Sequence, residues 1–472
     1  MTSVRWSPLA AAALLAGCAT VDLDRSLQPT HEASATLGTP RVELSRTAEQ
    51  DRRRAALAAE LLAKPLSQAD AVQLALANSP ALQALVAESW SDMATAAQAG
   101  RIANPVFTFE RVRAGSELEI GRLLSFGLLD LLTLPRRHAI AKSQVAQAEV
   151  QLAASVVERV AQVRQAWVRA VAAQQQLAYA RQVQASAQAS AELARRMQEA
   201  GNFNRLQRAR QHAFYADATA QLASAQHAAT AAREALVRQL GLTDAQAAEL
   251  KLPERLPDLP AQARSPQDVR TEALQQRLDV RLARLQVEHA GRAQGLGTLD
   301  SLFDAEIGVR RDTHFDDADG GRTTARGWEL GLRLPLFDWG EARRAGLDAR
   351  SLAAAQRYEA VARSATSQLR ESYSAYRTAW DLARHYRDEV VPLRKAISDE
   401  NLLRYNGMLI GVFELLADHR EQVAAVMAAI DAQQQFWLAD AALAAALVGQ
   451  PIAPSSTAAP AARSSGGAEA GH

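Results

Sequence analysis

The sequence predicts a mainly α-helical protein with a small β portion, built as two similar halves. Three observations carry that expectation. Helical periodicity runs on far longer than in an ordinary globular helix, the hydrophobic period drops to two in two short regions, and the whole order of segments recurs. Composition agrees: 102 of the 472 residues are alanine and only 5% are aromatic, which suits long helices in close contact. Lys+Arg (53) and Asp+Glu (52) leave a net charge of +1, without the basic bias of a nucleic-acid binder. No stretch reaches the ~18 apolar residues of a membrane helix, so a polytopic helical membrane protein is excluded.

The N-terminus has the build of a secretory signal. Arg5 is followed by an apolar run over residues 8–15 and then by Leu15-Ala16-Gly17-Cys18. Small residues ending at the only cysteine look like a bacterial lipoprotein box. Residues 1–17 are therefore expected to be removed and Cys18 to be acylated, each acyl chain anchoring by roughly 0.8 kcal/mol per CH₂. Ala19 follows, where an aspartate would signal inner-membrane retention, so the box implies the outer membrane. Residues 18–65 form a polar N-terminal segment.

The first half spans residues 66–250. Ser67 is placed to cap a helix with Asp70 at its third position, and Ala71, Leu74, Ala75, Ala77, Leu82 and Leu85 follow at helical spacing. Pro80 must kink or break that helix. After Asn104-Pro105, Phe107, Phe109 and Arg111 alternate with Val106, Thr108 and Glu110. Leu118, Ile120, Arg122 and Leu124 then alternate with Glu117, Glu119, Gly121 and Leu123, predicting a β-hairpin over about 105–128. A helical hairpin is expected over about 136–240, broken only at Gly201-Asn202. Its first arm, 136–199, would be ~95 Å long at 1.5 Å per residue.

Residues 251–265, with Pro253, Pro257 and Pro260, form a linker, and the second half (266–450) repeats the first. Ala273-Leu274 matches Ala75-Leu76 at an offset of 198. A second β-hairpin is expected over about 303–337. There Trp328, Leu330, Leu332, Leu334 and Leu336 alternate with Glu329, Gly331, Arg333 and Pro335, and residues 312–326 form a polar loop. A helical hairpin over about 341–448 is broken at Asn406-Gly407-Met408, with a kink at Pro392. Residues 451–472 are rich in Ala, Pro, Ser and Gly and are expected to be disordered.

Strands with one apolar face suggest a membrane setting. An open sheet edge is forbidden in lipid, so the sheet must close. Single-chain barrels begin at about eight strands. Four strands per chain close only by oligomerisation, and three copies supply about twelve. Trp328, Leu330, Leu332 and Leu334 would face lipid, and the Glu329, Gly331 and Arg333 side a watery lumen. The competing reading, two soluble hairpins packed on helices, leaves the lipoprotein box and the very long helices without a purpose.

Four features then resemble the TolC family of outer-membrane efflux proteins, in its lipid-anchored branch. They are the run Leu66-Ser67-Gln68-Ala69-Asp70-Ala71 continuing to Asn78-Ser79-Pro80-Ala81-Leu82, the strand-opening Asn104-Pro105, the strand-to-helix turn Leu334-Pro335-Leu336-Phe337-Asp338-Trp339-Gly340, and the paired tips Gly201-Asn202-Phe203 and Gly407-Met408-Leu409. The similarity covers residues 66–450. The first half departs from it, with Leu134-Pro135-Arg136-Arg137 in place of the Phe-Asp-x-Gly turn. At the second tip Met408 stands where glycine is usual, and Gly407 is expected to supply the turn one residue early. The resemblance implies a trimeric α/β-barrel channel: a 12-stranded barrel above a periplasmic helical tunnel, passively conducting drugs, solvents or metal ions. Its tips would meet a periplasmic adaptor (membrane-fusion) protein and an inner-membrane pump. Glu414 could join a threefold acidic constriction, with Asp418 one position beyond the family's second acid. A type I secretion exit duct shares the fold. A periplasmic coiled-coil scaffold or adaptor lipoprotein is the alternative of a different class.

Catalytic chemistry is absent from the sequence. No GxxxxGK[ST], CxxC, HExxH or GxSxG occurs. No cofactor is expected, the nine histidines are scattered without metal-site spacing, and the acidic loop around His314 reads as solvated surface. Cys18→Ala is expected to yield chains that lack the acyl mass in mass spectrometry while trimers persist. Loss of trimers in that variant would show that the anchor is needed for assembly.

Overall fold

The computed structural model describes residues 22–115, 117–267, 269, 277–300, 304–316, 320–333 and 337–450. In chain order the helices before the first strand are α1 (Leu23–Ser26), α2 (Gln28–Thr36), α3 (Ala48–Leu62), α4 (Gln68–Asn78) and α5 (Pro80–Ala99). Strands β1 (Val106–Ala114) and β2 (Glu117–Gly127) lead into α6 (Leu128–Glu199), α7 (Arg205–Leu240) and α8 (Asp244–Glu249). The second half has α9 (Leu278–Asp300), β3 (Asp304–Asp316), β4 (Gly321–Arg333), α10 (Glu341–His385), a π-helical turn (Tyr386–Val390), α11 (Val391–Asn406) and α12 (Val412–Leu447). The described residues divide into two compact units.

The first unit comprises residues up to 46, 80–156 and 277–366. Its centre is an antiparallel sheet of order β1-β2-β3-β4, in which each strand pairs with its sequence neighbour and β1 and β4 are the edges. Gly115 (φ 64°), just after β1, and Gly320 (φ 62°), just before β4, hold left-handed positions that glycine adopts without penalty. The expected loop over 312–326 is largely strand. Thr313 lies directly opposite Thr324, and Arg310 reaches across to Glu329 on β4, so polar residues pair across the ladder as apolar ones do.

The helix expected to start at residue 136 starts eight residues earlier, directly after β2, and Pro135 lies inside it. Proline removes one backbone donor there. The neighbourhood is tied down by side chains: Thr133 donates to the Leu129 carbonyl (2.8 Å), and Arg137 donates both to Asp130 (2.6 Å) and to the Ala99 carbonyl (3.3 Å). Upstream, the Gln83 amide accepts from Ser45 N–H and donates to the Glu43 carbonyl, both at 2.9 Å, and so fixes the extended segment before α3.

The second unit comprises residues 47–79, 157–276 and 367 onward. Ser67 caps α4 by accepting from Asp70 N–H. Asn78 ends α4, Ser79 is extended (ψ 116°), and Pro80 opens α5, because the residue before proline is driven out of the helical region. The second proline expected to kink a helix behaves differently. Pro392 sits in the first turn of α11, just after the π-helical turn, where its missing N–H falls at a junction already out of α register.

The proline-rich stretch after α8 is held by indoles. Proline carbonyls keep full acceptor capacity, and Trp380 donates to Pro260 (3.2 Å) while Trp437 donates to Pro257 (3.0 Å). The Gln433 amide adds a donor to Pro257 at 2.7 Å. Beneath lies a core of Leu259, Tyr376, Trp380, Phe436, Leu443 and Leu447. Trp167, fully buried, donates to the Leu66 carbonyl at 2.8 Å. Asp440 lies 4.0 Å from Arg264, and burial pushes its carboxyl up from the ordinary range against the pull of Arg264 and Arg164.

Candidate functional site

Two regions carry the sequence-predicted residues: the sheet of the first unit and the helix tips of the second. In the sheet, directly opposed residues share a face. Phe107, Leu124, Val309 and Trp328 form one continuous row across four strands. Phe126, Ile307 and Leu330 form the next row toward the strand ends that join the helices, and Ala305 with Leu332 the next. These side chains are largely bare in the protomer: Trp328 is 73% exposed and Leu332 58%. An apolar patch of this kind marks a contact with lipid or protein.

The opposite face is polar, with an excess of carboxylates, and several of its charges are paired. Arg310 bridges Asp312 (2.7 Å) and Glu329 (3.0 Å), and His314 lies 3.8 Å from Glu119. Two glycines of this face stand in close quarters. A Cβ on Gly308 would come within 2.7 Å of Leu123 Cδ1, and one on Gly121 within 3.3 Å of Asp312 Oδ1. Trp328, Leu330 and Leu332 are thus brought onto one apolar face; Leu334 and Cys18 lie outside the described residues.

The two tips have the same backbone construction. After α6, Gly201 takes φ 79°, its N–H donates to Gln198 (3.0 Å), and Asn202 N–H donates to Met197 (2.8 Å). After α11, Met408 takes φ 58°, its N–H donates to Tyr405 (2.9 Å), and Leu409 N–H donates to Arg404 (2.8 Å). Both are Schellman caps that satisfy the last carbonyls of a helix. The expected role of Gly407 is therefore corrected. Gly407 keeps φ −80° and Met408 is the left-handed residue, because the second cap keeps the spacing of the first. A β-carbon in that region is strained by roughly 1–2 kcal/mol.

Each cap is followed three residues on by a helix N-cap, Asn204 for α7 and Gly411 for α12. Asn204 closes a capping box with Gln207, both bonds at 2.8 Å. Phe203 is buried, whereas Met408 (93%) and Leu409 (74%) stand out in solvent. Glu414 lies in the first turn of α12 and is exposed. Asp418, one turn on, is buried, and its Oδ2 has no hydrogen-bond partner among the described residues. Nearby, the Arg420 guanidinium stacks 4.3 Å from the Phe214 ring centre.

Among the described residues no group of three or more His, Cys, Asp or Glu could hold a metal ion, and no helix is long and apolar enough to cross a membrane. The arrangement offers two kinds of surface: a sheet with one apolar and one charged face, and two exposed helix tips.

The described chain thus combines a four-stranded antiparallel sheet with one long helical hairpin between its two β-hairpins and further long helices after the second. Among solved structures the chain is similar to the outer-membrane channel OprN (20% identity, 88% of this chain and 95% of that one, TM-score 0.66). It is similar also to the outer-membrane protein VceC of Vibrio cholerae (18% identity, 81% and 96%, TM-score 0.65). A third is the open-state MtrE channel of Neisseria gonorrhoeae (20% identity, 80% and 88%, TM-score 0.64). The chain shares the fold of these outer-membrane channels. No family model matches the sequence, and no curated protein matches it.

Gly201 has open space where a Cβ would go, so conformation alone decides substitutions at the caps. Gly201→Ala is expected to destabilise the protein by about 1 kcal/mol, and Met408→Gly to stabilise it by about 1 kcal/mol. Denaturant titration of the purified variants measures both, and a loss of stability in Met408→Gly contradicts the strained-cap assignment.

Proposed function

We propose that the chain is one protomer of a homotrimeric outer-membrane exit duct serving a tripartite efflux pump. The observation that carries this reading is the sheet: four strands, two unpaired edges and one apolar face. In lipid every backbone polar group must find an internal partner, so such a sheet closes only with other copies of itself. Three copies give a barrel of about twelve strands, within the known size range. Trp328, Leu330, Leu332 and Leu334 then face outer-membrane lipid, and the Arg310, Asp312, Glu329 network faces the lumen. The long alanine-rich helices line a periplasmic tunnel.

In this reading Cys18 carries the acyl anchor and the tips do the docking. Gly201, Asn202, Phe203, Gly407, Met408 and Leu409 meet a periplasmic adaptor, which links the duct to an inner-membrane pump. The bare side chains of Met408 and Leu409 supply apolar contact, and a strained non-glycine cap is the kind of feature kept for function. Glu414, with Asp418 behind it, is the candidate constriction. The duct performs no chemistry; drugs, solvents or metal ions pass through it, driven by the pump.

Planar-bilayer recording of the purified protein tests the reading. Discrete trimeric pores are expected. Leu332→Arg is expected to abolish them, since an arginine on the lipid face costs roughly 2–4 kcal/mol at the midplane. Helical, trimer-free protein without conductance would favour a periplasmic scaffold, and normal pores in Leu332→Arg would contradict the assigned lipid face.

A further inference from the structure

The apolar face of the sheet changes character abruptly toward the hairpin turns. Directly above the row Phe107, Leu124, Val309 and Trp328 comes the row Phe109, Arg122, Arg311 and Arg326. Two rows further on the same face carry Arg111 and then Arg113 with Arg322. Six arginines thus stand above an aromatic-edged apolar band. Every described carboxylate of the strands lies on the other face. Arg122, Arg311 and Arg326 are directly opposed on three adjacent strands, about 5 Å apart from strand to strand. Like charges so placed destabilise a sheet.

Arg122 lies 3.5 Å from the Thr313 hydroxyl, and Arg322 stacks 5.5 Å from the Phe315 ring centre, both neutral partners. The opposite face shows that the same strands can pair their charges, as Arg310 does twice. The uncompensated row is therefore a property of one face. Planar guanidinium forks match phosphate oxygens in two-point contact, and they accept such partners at an apolar boundary more readily than ammonium groups do.

We infer that this arginine belt binds the phosphate groups of outer-leaflet lipids. The inference rests on the barrel reading, in which the apolar rows lie in the hydrocarbon and the hairpin turns point outward. Trp328 and Phe107 then mark the aromatic girdle at the hydrocarbon boundary. The arginines sit one row above it, at headgroup depth. The occupant is a phosphorylated lipid: the acyl chains cover the apolar rows, and the phosphates supply the negative charge that the face lacks.

The test uses the full-length protein in dodecyl maltoside, with lipid retention read by native mass spectrometry and assembly read by bilayer conductance. The probes are bisphosphorylated lipid A, dephosphorylated lipid A and inorganic phosphate. The native protein is expected to retain the phosphorylated lipid at least about tenfold better than the dephosphorylated one, with no competition from millimolar inorganic phosphate. Arg122→Gln/Arg311→Gln/Arg326→Gln is expected to lose that preference. The corresponding triple lysine variant keeps part of it, and Arg350→Gln/Arg357→Gln, on exposed helix positions, keeps all of it. Conducting protein that retains both lipids equally, glutamine variants that keep the preference, or displacement by inorganic phosphate would overturn the inference alone. Absence of conductance would overturn the barrel reading and this inference with it.

Discussion

The outer backbone edges of β1 and β4 impose the constraint on which the rest of the account depends. Each presents a row of N–H and C=O groups with no partner strand among the described residues, next to a face of bare aromatic and aliphatic side chains. In water, such an edge invites uncontrolled pairing. In lipid it is forbidden, each unsatisfied group costing several kcal/mol. Both difficulties vanish if β1 of one protomer pairs with β4 of the next. The charged face then needs an aqueous side, which a closed barrel supplies. The apolar face needs lipid, and the arginine rows above it need anions. One geometric act, closure by copies, answers all of these demands.

The duplication reaches further than the order of elements. Gly201 and Met408 occupy the same position in two caps with the same hydrogen bonds, each followed three residues later by a helix N-cap. The two tips have nonetheless diverged in chemistry. One is closed by a glycine, a buried Phe203 and an asparagine capping box; the other exposes Met408 and Leu409 on a strained backbone. A shared scaffold with one polar and one apolar tip lets two copies of one motif make unequal contacts.

Much of this was legible in the sequence because periodicity reports which face a residue takes. Alternation placed Trp328, Leu330 and Leu332 together, and Ser67 with Asp70 marked a helix start that the structure caps as expected. Where the reading failed, a local signal was outvoted. Pro135 looked like a helix start but lies inside a helix whose first turns are secured by Thr133 and Arg137. Residues 312–326 looked like loop because they are polar, but a two-faced sheet has no core for polarity to violate. At the second tip residue type points to Gly407, but the cap spacing shared with the first tip assigns the left-handed position to Met408. The arginine row was invisible for a different reason: Arg122, Arg311 and Arg326 come from three strands, and only the register aligns them.

The central claim, that separate protomers join edge to edge, is tested most directly by disulfide trapping. Single cysteine pairs are placed along β1 and β4, one partner on each strand. Within one chain these strands are separated by two others, too far for a bridge, which needs Cα atoms within about 7 Å. The account predicts that oxidation of membranes yields a covalent trimer for the pairs in register and none for pairs shifted along the strand. Monomeric chains at every pair would contradict it.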